Sequence, residues 1–86
     1  MATYAVTDPE KYFSLHGGGT LTSLEDLFTE LQTMDQRVWE HHTKQGRNDF
    51  STWVRDVMQD RFLAKNIELA KEKDDLLKLL FINLFR

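Results

Sequence analysis

The stretch SLEDLFTEL, residues 23–31, places Leu24, Leu27, Phe28 and Leu31 at i, i+3, i+4 and i+7. That spacing puts four apolar side chains on one helix face and leaves the acidic and hydroxyl residues for the other. A half-buried strand would need strict alternation, which the stretch lacks. Its start is marked twice. Ser23 can cap with Asp26 near the positive end of the dipole, and Thr22 with Glu25 makes an equally good capping box. The chain is therefore read as mainly α, organised around this helix.

Toward the C-terminus, Thr33-Met34-Asp35 breaks the pattern, and Asp35 can cap a second helix running to about Thr43. Its inner face is Val38, Trp39 and His42. Gly46 suits a helix stop, because glycine takes positive φ at little cost. Asn48 or Asp49 then caps a third helix with the stripe Phe50, Trp53, Val54 and Val57. Asp60 caps a fourth, with Phe62, Leu63 and Ile67 expected to face inward.

The closing segment DDLLKLLFINLFR, residues 74–86, differs in kind. From Leu76 to Phe85 only Lys78 and Asn83 are polar, so apolar surface wraps most of the helix. Such a helix is central in a core or keeps a second face for a partner. It is far short of the roughly 20 residues that span a bilayer, so no membrane insertion is expected. It also lacks the basic face of a membrane-surface helix. Leu77, Leu80, Phe81, Leu84 and Phe85 are the expected interaction surface, for a protein partner or for self-association as a homodimer.

Toward the N-terminus, Tyr12–Leu15 and Thr20–Thr22 flank His16-Gly17-Gly18-Gly19 and suggest a minimal β-hairpin near residues 12–22. A lone hairpin is marginal in water and must pack on the helices. Asp8-Pro9-Glu10 can form one helical turn, with Pro9 at its first position. Residues 1–10 read as an arm whose order, or disorder, the pattern leaves open. Residues 11–86 read as a single helical domain, a compact bundle of four to five short helices.

Composition sets limits. At 41% hydrophobic and 29% charged, the 86 residues resemble an ordinary globular domain rather than a disordered chain. A chain this short buries only somewhat above ~60% of its unfolded surface, so its aromatic residues matter to the core. There is no cysteine, which removes disulfides, thiolate nucleophiles and cysteine-based metal sites and fits a cytoplasmic setting. The first residues do not read as a signal peptide. The net charge of −3 divides into −5 over residues 1–40 and +2 over residues 41–86. The bases of the second half alternate with acids, so no basic stripe forms and nucleic acid is not an expected partner.

The densest polar stretch is EHHTKQGRNDFSTW, residues 40–53. Adjacent helical residues point about 100° apart, so His41 and His42 cannot grip one ion as an i, i+4 pair does. His42 shares a face with Val38 and Trp39 and points inward, while His41 lies toward solvent. A His42–Asp49 contact would resemble the orienting half of a catalytic triad, with Ser51 the sole nearby nucleophile. The simpler reading is a structural corner of His42, Gly46, Asn48, Asp49 and Trp53, with the imidazole satisfied across the turn. No catalytic residue, metal ligand or cofactor is assigned.

Two further motifs carry little. Gly17-Gly18-Gly19-Thr20 precedes a helix but lacks the P-loop lysine and the dinucleotide-loop spacing, and Glu25 and Asp26 would repel phosphate. A helix-turn-helix reading of the second and third helices fails on chemistry. The would-be recognition helix DFSTWVRDVM offers Asp49, Arg55 and Asp56 beside a largely apolar face.

Several blocks together resemble a known family. Phe13-Ser14-Leu15 before glycines, Ser23-Leu-Glu-Asp-Leu27, Leu31-Gln-Thr-Met34 and Trp39-Glu-His-His42 lead into an H-x5-N-D-F-x-x-W-[IV]-x-D-V signature from His42 to Val57, followed by Phe62-Leu63-Ala64. They are similar to a small, mainly helical prokaryotic domain family, archaeal and bacterial, over about residues 12–82. Trp39 stands where phenylalanine is more usual, and Lys71–Asp74 stands where a Ser/Thr cap is more typical. The resemblance implies the helical architecture and a module found alone or appended to larger proteins. It implies no activity.

The leading expectation is a small cytoplasmic interaction module acting through its terminal helix, and not an enzyme. The rivals are a small-molecule-binding or hydrolytic domain at the His42/Asp49 corner, and a regulator associated with nucleic acid.

Overall fold

The computed structural model describes residues 4–85. Five helices carry the domain: α1 (Leu24–Leu31), α2 (Gln36–Thr43), α3 (Asp49–Asp56), α4 (Arg61–Leu69) and α5 (Lys73–Leu84). A two-stranded antiparallel hairpin precedes them, with β1 (Phe13–Ser14) pairing Phe13 to Leu21 and Ser14 to Thr20 of β2 (Thr20–Leu21). The protein is thus a mainly α globule with a minimal hairpin.

Capping sets most of the boundaries. Ser23 Oγ accepts the Asp26 amide, and Asp26 reaches back to accept both the amide and the hydroxyl of Thr22 at 2.8 and 2.6 Å. Those two bonds, the hydroxyl first, hold the Asp26 carboxyl below its ordinary range. Asp35, Asn48 and Asp60 cap α2, α3 and α4 through their side chains. Ahead of α5, the Glu72 amide donates to Asp75 at 3.3 Å.

The N-terminal segment is tied to the body. Of the stretch read as an arm, residues 1–3 lie outside the described residues. Ala5 forms an isolated antiparallel bridge with Ser23, the Val6 amide donates to Thr22, and Tyr4 accepts from the Leu24 amide. The Tyr4 hydroxyl donates to Asp60 Oδ2 at 2.9 Å, which fastens this segment to the start of α4. A 3-10 turn over Pro9–Lys11, capped by Asp8, leads into β1.

The core draws on the hairpin and all five helices. Leu21, Leu24, Leu27, Leu31, Phe50, Val54, Ile67, Leu76 and Leu80 are fully buried. Phe13 stacks on Phe50 at 5.0 Å between ring centroids and meets Trp53 edge-on, while Trp39 stacks on the same Phe50. The hairpin is therefore anchored by one aromatic driven into the helical core, which is how so short a ribbon persists. Trp53 Nε1 donates to the Lys11 carbonyl at 2.9 Å.

One inward expectation on α4 is overturned. Phe62 is 81% exposed, and Ala64 takes the core position beside Leu63 and Ile67. The reason lies at the crossing with α3, where Ser51 Oγ donates to the Ala64 carbonyl at 2.6 Å. Such an approach needs a small side chain on the facing turn, which Ala64 supplies and Phe62 would not. The turn between these helices places Gln59 at φ 59.

Candidate functional site

The polar corner forms because Asn48, not Asp49, caps α3. Asn48 Oδ1 accepts the Ser51 amide at 3.0 Å, which leaves the Asp49 carboxylate free. The chain reaches this point through a 3-10 turn at Lys44–Gly46, with Gln45 at φ 58 and Gly46 at φ 75. Two successive left-handed residues reverse the chain and bring the start of α3 back over the end of α2. Asp49 Oδ2 then lies 2.9 Å from His42 Nδ1, and Asp49 Oδ1 lies 3.1 Å from Arg47 Nε.

The other ring nitrogen of His42 is also engaged. The backbone amide of His16, at the hairpin tip, donates to His42 Nε2 at 3.1 Å. An amide N–H only donates, so Nε2 presents its lone pair and the ring hydrogen sits on Nδ1, donating to Asp49. His42 is buried among Phe13 and Phe50, in the neutral Nδ1–H form.

The three histidines of the chain meet here. The His16 ring lies parallel to that of His41, 3.9 Å between centroids and 12° between planes, and His41 sits edge-on to His42 at 5.0 Å. Arg47 Nη2 donates to the His41 carbonyl at 2.7 Å. Partial desolvation pushes the His41 imidazole below its ordinary pKa; a positive charge on His16, His42, Lys44 or Arg47 acts in the same direction. A polar cleft of about 700 Å³ opens beside this cluster, bounded by His16, Arg37, His41, Lys44 and Lys71 with Glu40 and Glu72.

Ser51 does not join this arrangement. It is buried on α3 with its hydroxyl committed to Ala64 on α4. A triad would need the serine hydroxyl against a free imidazole nitrogen, and both groups are engaged elsewhere. Among the described residues, no three histidine, aspartate or glutamate side chains are grouped to hold a metal ion.

The second candidate region is the outer face of α1 and α5. Phe81 and Phe85 are each 57% exposed and Ile82 is 58% exposed. Phe28 of α1 joins them, 5.3 Å from Phe85 and 6.3 Å from Phe81 between ring centroids, while Phe81 and Phe85 are 5.4 Å apart. Phe28, Gln32, Leu77, Lys78, Phe81 and Ile82 line an apolar groove of about 420 Å³. Leu77 and Leu84 are half-buried, packed against the core.

Leu80 is a correction to the expected surface. It is fully buried in the core, because α5 turns its Leu76–Leu80 edge toward the domain interior. In its place Ile82 belongs to the exposed group, and half-buried Phe28 of α1 packs beside it. Ile82 was legible as part of an all-round apolar helix. Phe28 completes the stripe of α1 by spacing, and only the position of α5 shows that it sits at the stripe's outer edge. His16 carried no local signal, since its partners lie 25 and 26 residues away in a different element.

No helix among the described residues is long and apolar enough to cross a membrane. Comparison with protein-family models, with curated proteins and with solved structures gives no match.

Proposed function

We propose that the chain is a small cytoplasmic protein-interaction module that receives the apolar face of a partner's helix in the groove between α1 and α5. The observation that carries this reading is the exposed cluster of Phe81, Ile82 and Phe85 around half-buried Phe28. Isolated exposed apolar residues are normal, but a contiguous aromatic group is the usual mark of an interface. The rings already pack on one another, so little side-chain entropy remains to be lost on docking. Helix-in-groove recognition uses anchors spaced one turn apart, and Phe81 and Phe85 stand at that spacing. Lys78 on the groove margin favours a partner helix with an acidic residue beside its apolar stripe.

The test compares wild type with Phe81→Ser and Phe85→Ser by sedimentation equilibrium over a wide concentration range, alone and with candidate amphipathic helical peptides. Binding of acidic-flanked peptides by wild type, abolished in both variants, supports the reading. Concentration-dependent dimerisation abolished by the same changes identifies a second copy of the chain as the occupant. A wild type that remains monomeric and binds no helix defeats the proposal.

A further inference from the structure

We propose that the three histidines form a proton-operated clasp, which holds the glycine tip of the hairpin against α2 at neutral pH and releases it on acidification.

The tip, Gly17-Gly18-Gly19, runs through three successive positive φ values of 88°, 120° and 101°. No neighbouring atom comes within 4 Å of where a Cβ would stand at Gly17 or Gly18. This part of the loop therefore has little packing of its own. Two bonds internal to the hairpin shape it, from the Leu15 amide to the Gly19 carbonyl and from the Gly18 amide to the Leu15 carbonyl. Its connection to α2 is made by His16, through the amide bond to His42 Nε2 and the ring stack on His41.

Both connections are sensitive to protons. A proton taken up by His42 must land on Nε2, since Nδ1 already carries hydrogen toward Asp49. An N–H would then face the N–H of His16 where a hydrogen bond had been. The ring stack fails by a different route. Two imidazolium rings face to face at 3.9 Å repel, and neutral rings do not.

The surroundings favour release over compensation. Asp49 could neutralise a charged His42, but its second oxygen is already paired with Arg47. In the adjoining cleft, Glu40 of α2 and Glu72 before α5 face Arg37, Lys44 and Lys71, so bases outnumber acids. The lowered pKa of His41 agrees with this positive environment. On acidification the tip lifts from α2 and enlarges the cleft beside it, while Phe13 keeps the base of the hairpin in the core.

Residue-resolved amide hydrogen exchange on the full chain, between about pH 7.5 and about pH 5, brackets ordinary histidine titration. The His16 amide is expected to lose at least about tenfold of its protection, relative to the intrinsic rate at each pH, as a local opening does. The Leu15 and Gly18 amides, bonded within the hairpin, should keep theirs, as should helix amides such as that of Val57. His42→Gln retains an acceptor for His16 and a donor for Asp49 without titrating, and is expected to remove the acid-induced loss. His41→Phe keeps a flat ring under His16 and should reduce the loss, which provides a second reading if His42→Gln does not fold. Constant His16 protection across the range overturns the clasp. So does a loss shared equally by Leu15, Gly18 and the helices, or a loss that persists unchanged in the variants.

Discussion

Asp49 Oδ2 stands 2.9 Å from His42 Nδ1 because its neighbour Asn48 has taken the capping position of α3. One residue supplies the cap and the next supplies the imidazole's partner, so a single tight corner satisfies both needs. The pair joins the end of α2 to the start of α3, and through His42 Nε2 it also reaches the hairpin.

Removing that carboxylate should show what the corner contributes. Asp49→Ala leaves the buried Nδ1–H of His42 without an acceptor, which costs about 1–3 kcal/mol. Asp49→Asn keeps an acceptor oxygen and should lose less. Urea unfolding of the two variants beside wild type measures the difference. Equal losses would show that the charge, and not the hydrogen bond, is what matters.

Neighbouring positions on α5 should separate core from surface. Leu80→Ala opens a cavity at a fully buried site and is expected to destabilise by about 2–5 kcal/mol. Phe81→Ser, one residue on, removes a side chain that is more than half exposed and should cost far less stability while abolishing association. Chemical denaturation and light scattering on the same samples resolve the two effects.

The N-terminal tether gives a third expectation. Tyr4→Phe removes the hydroxyl that donates to Asp60 and should cost about 0.5–1.5 kcal/mol. Asp60→Ala removes the same bond and the cap of α4, and so should cost more. In a double-mutant cycle the two losses should be less than additive, since they share one bond. Full additivity would mean that the tyrosine–aspartate bond contributes nothing to stability.

Stability should also depend on pH in two separate ranges. His41 has a folded pKa below its ordinary value of 6.5, so the unfolded chain binds more protons between the two values. Stability therefore rises with pH through that window and is lost as pH falls below about 6.5. His41→Phe should flatten this slope. Asp26 is depressed below its ordinary value of 3.8, so its contribution is fully present above that value and is lost as pH falls through the lower folded one. Asp26→Asn should weaken the protein at neutral pH and remove its share of the acid-range loss. Unfolding midpoints across a pH series check both.

Much of the helical layout is local information. The i, i+3, i+4, i+7 stripe of α1 can be read within about two turns of chain, and the side-chain caps at Ser23, Asp35 and Asp60 within one. At α3 the chain offered Asn48 and Asp49 as equivalent caps. The choice was made by Asp49 having a better use, and that use exists only once α2 lies across the corner. Phe62 failed as an inward residue for a similar reason. Its spacing allowed burial, but the close α3–α4 crossing required the small Ala64 there instead.

The sequence by itself determined that the chain is mainly helical, that Asp35 and Asp60 open the second and fourth helices, that a glycine tip reverses a short ribbon, and that the last helix carries more apolar surface than one side can bury. Those properties follow from backbone geometry and from side chains within a single short segment of chain. Only the tertiary structure decided which side of α5 is buried, that Phe28 meets Phe81 and Phe85, and that His16 closes over His41 and His42. Such juxtapositions join residues 25 to 57 positions apart, and they arise from how whole helices pack, a choice that no local spacing encodes.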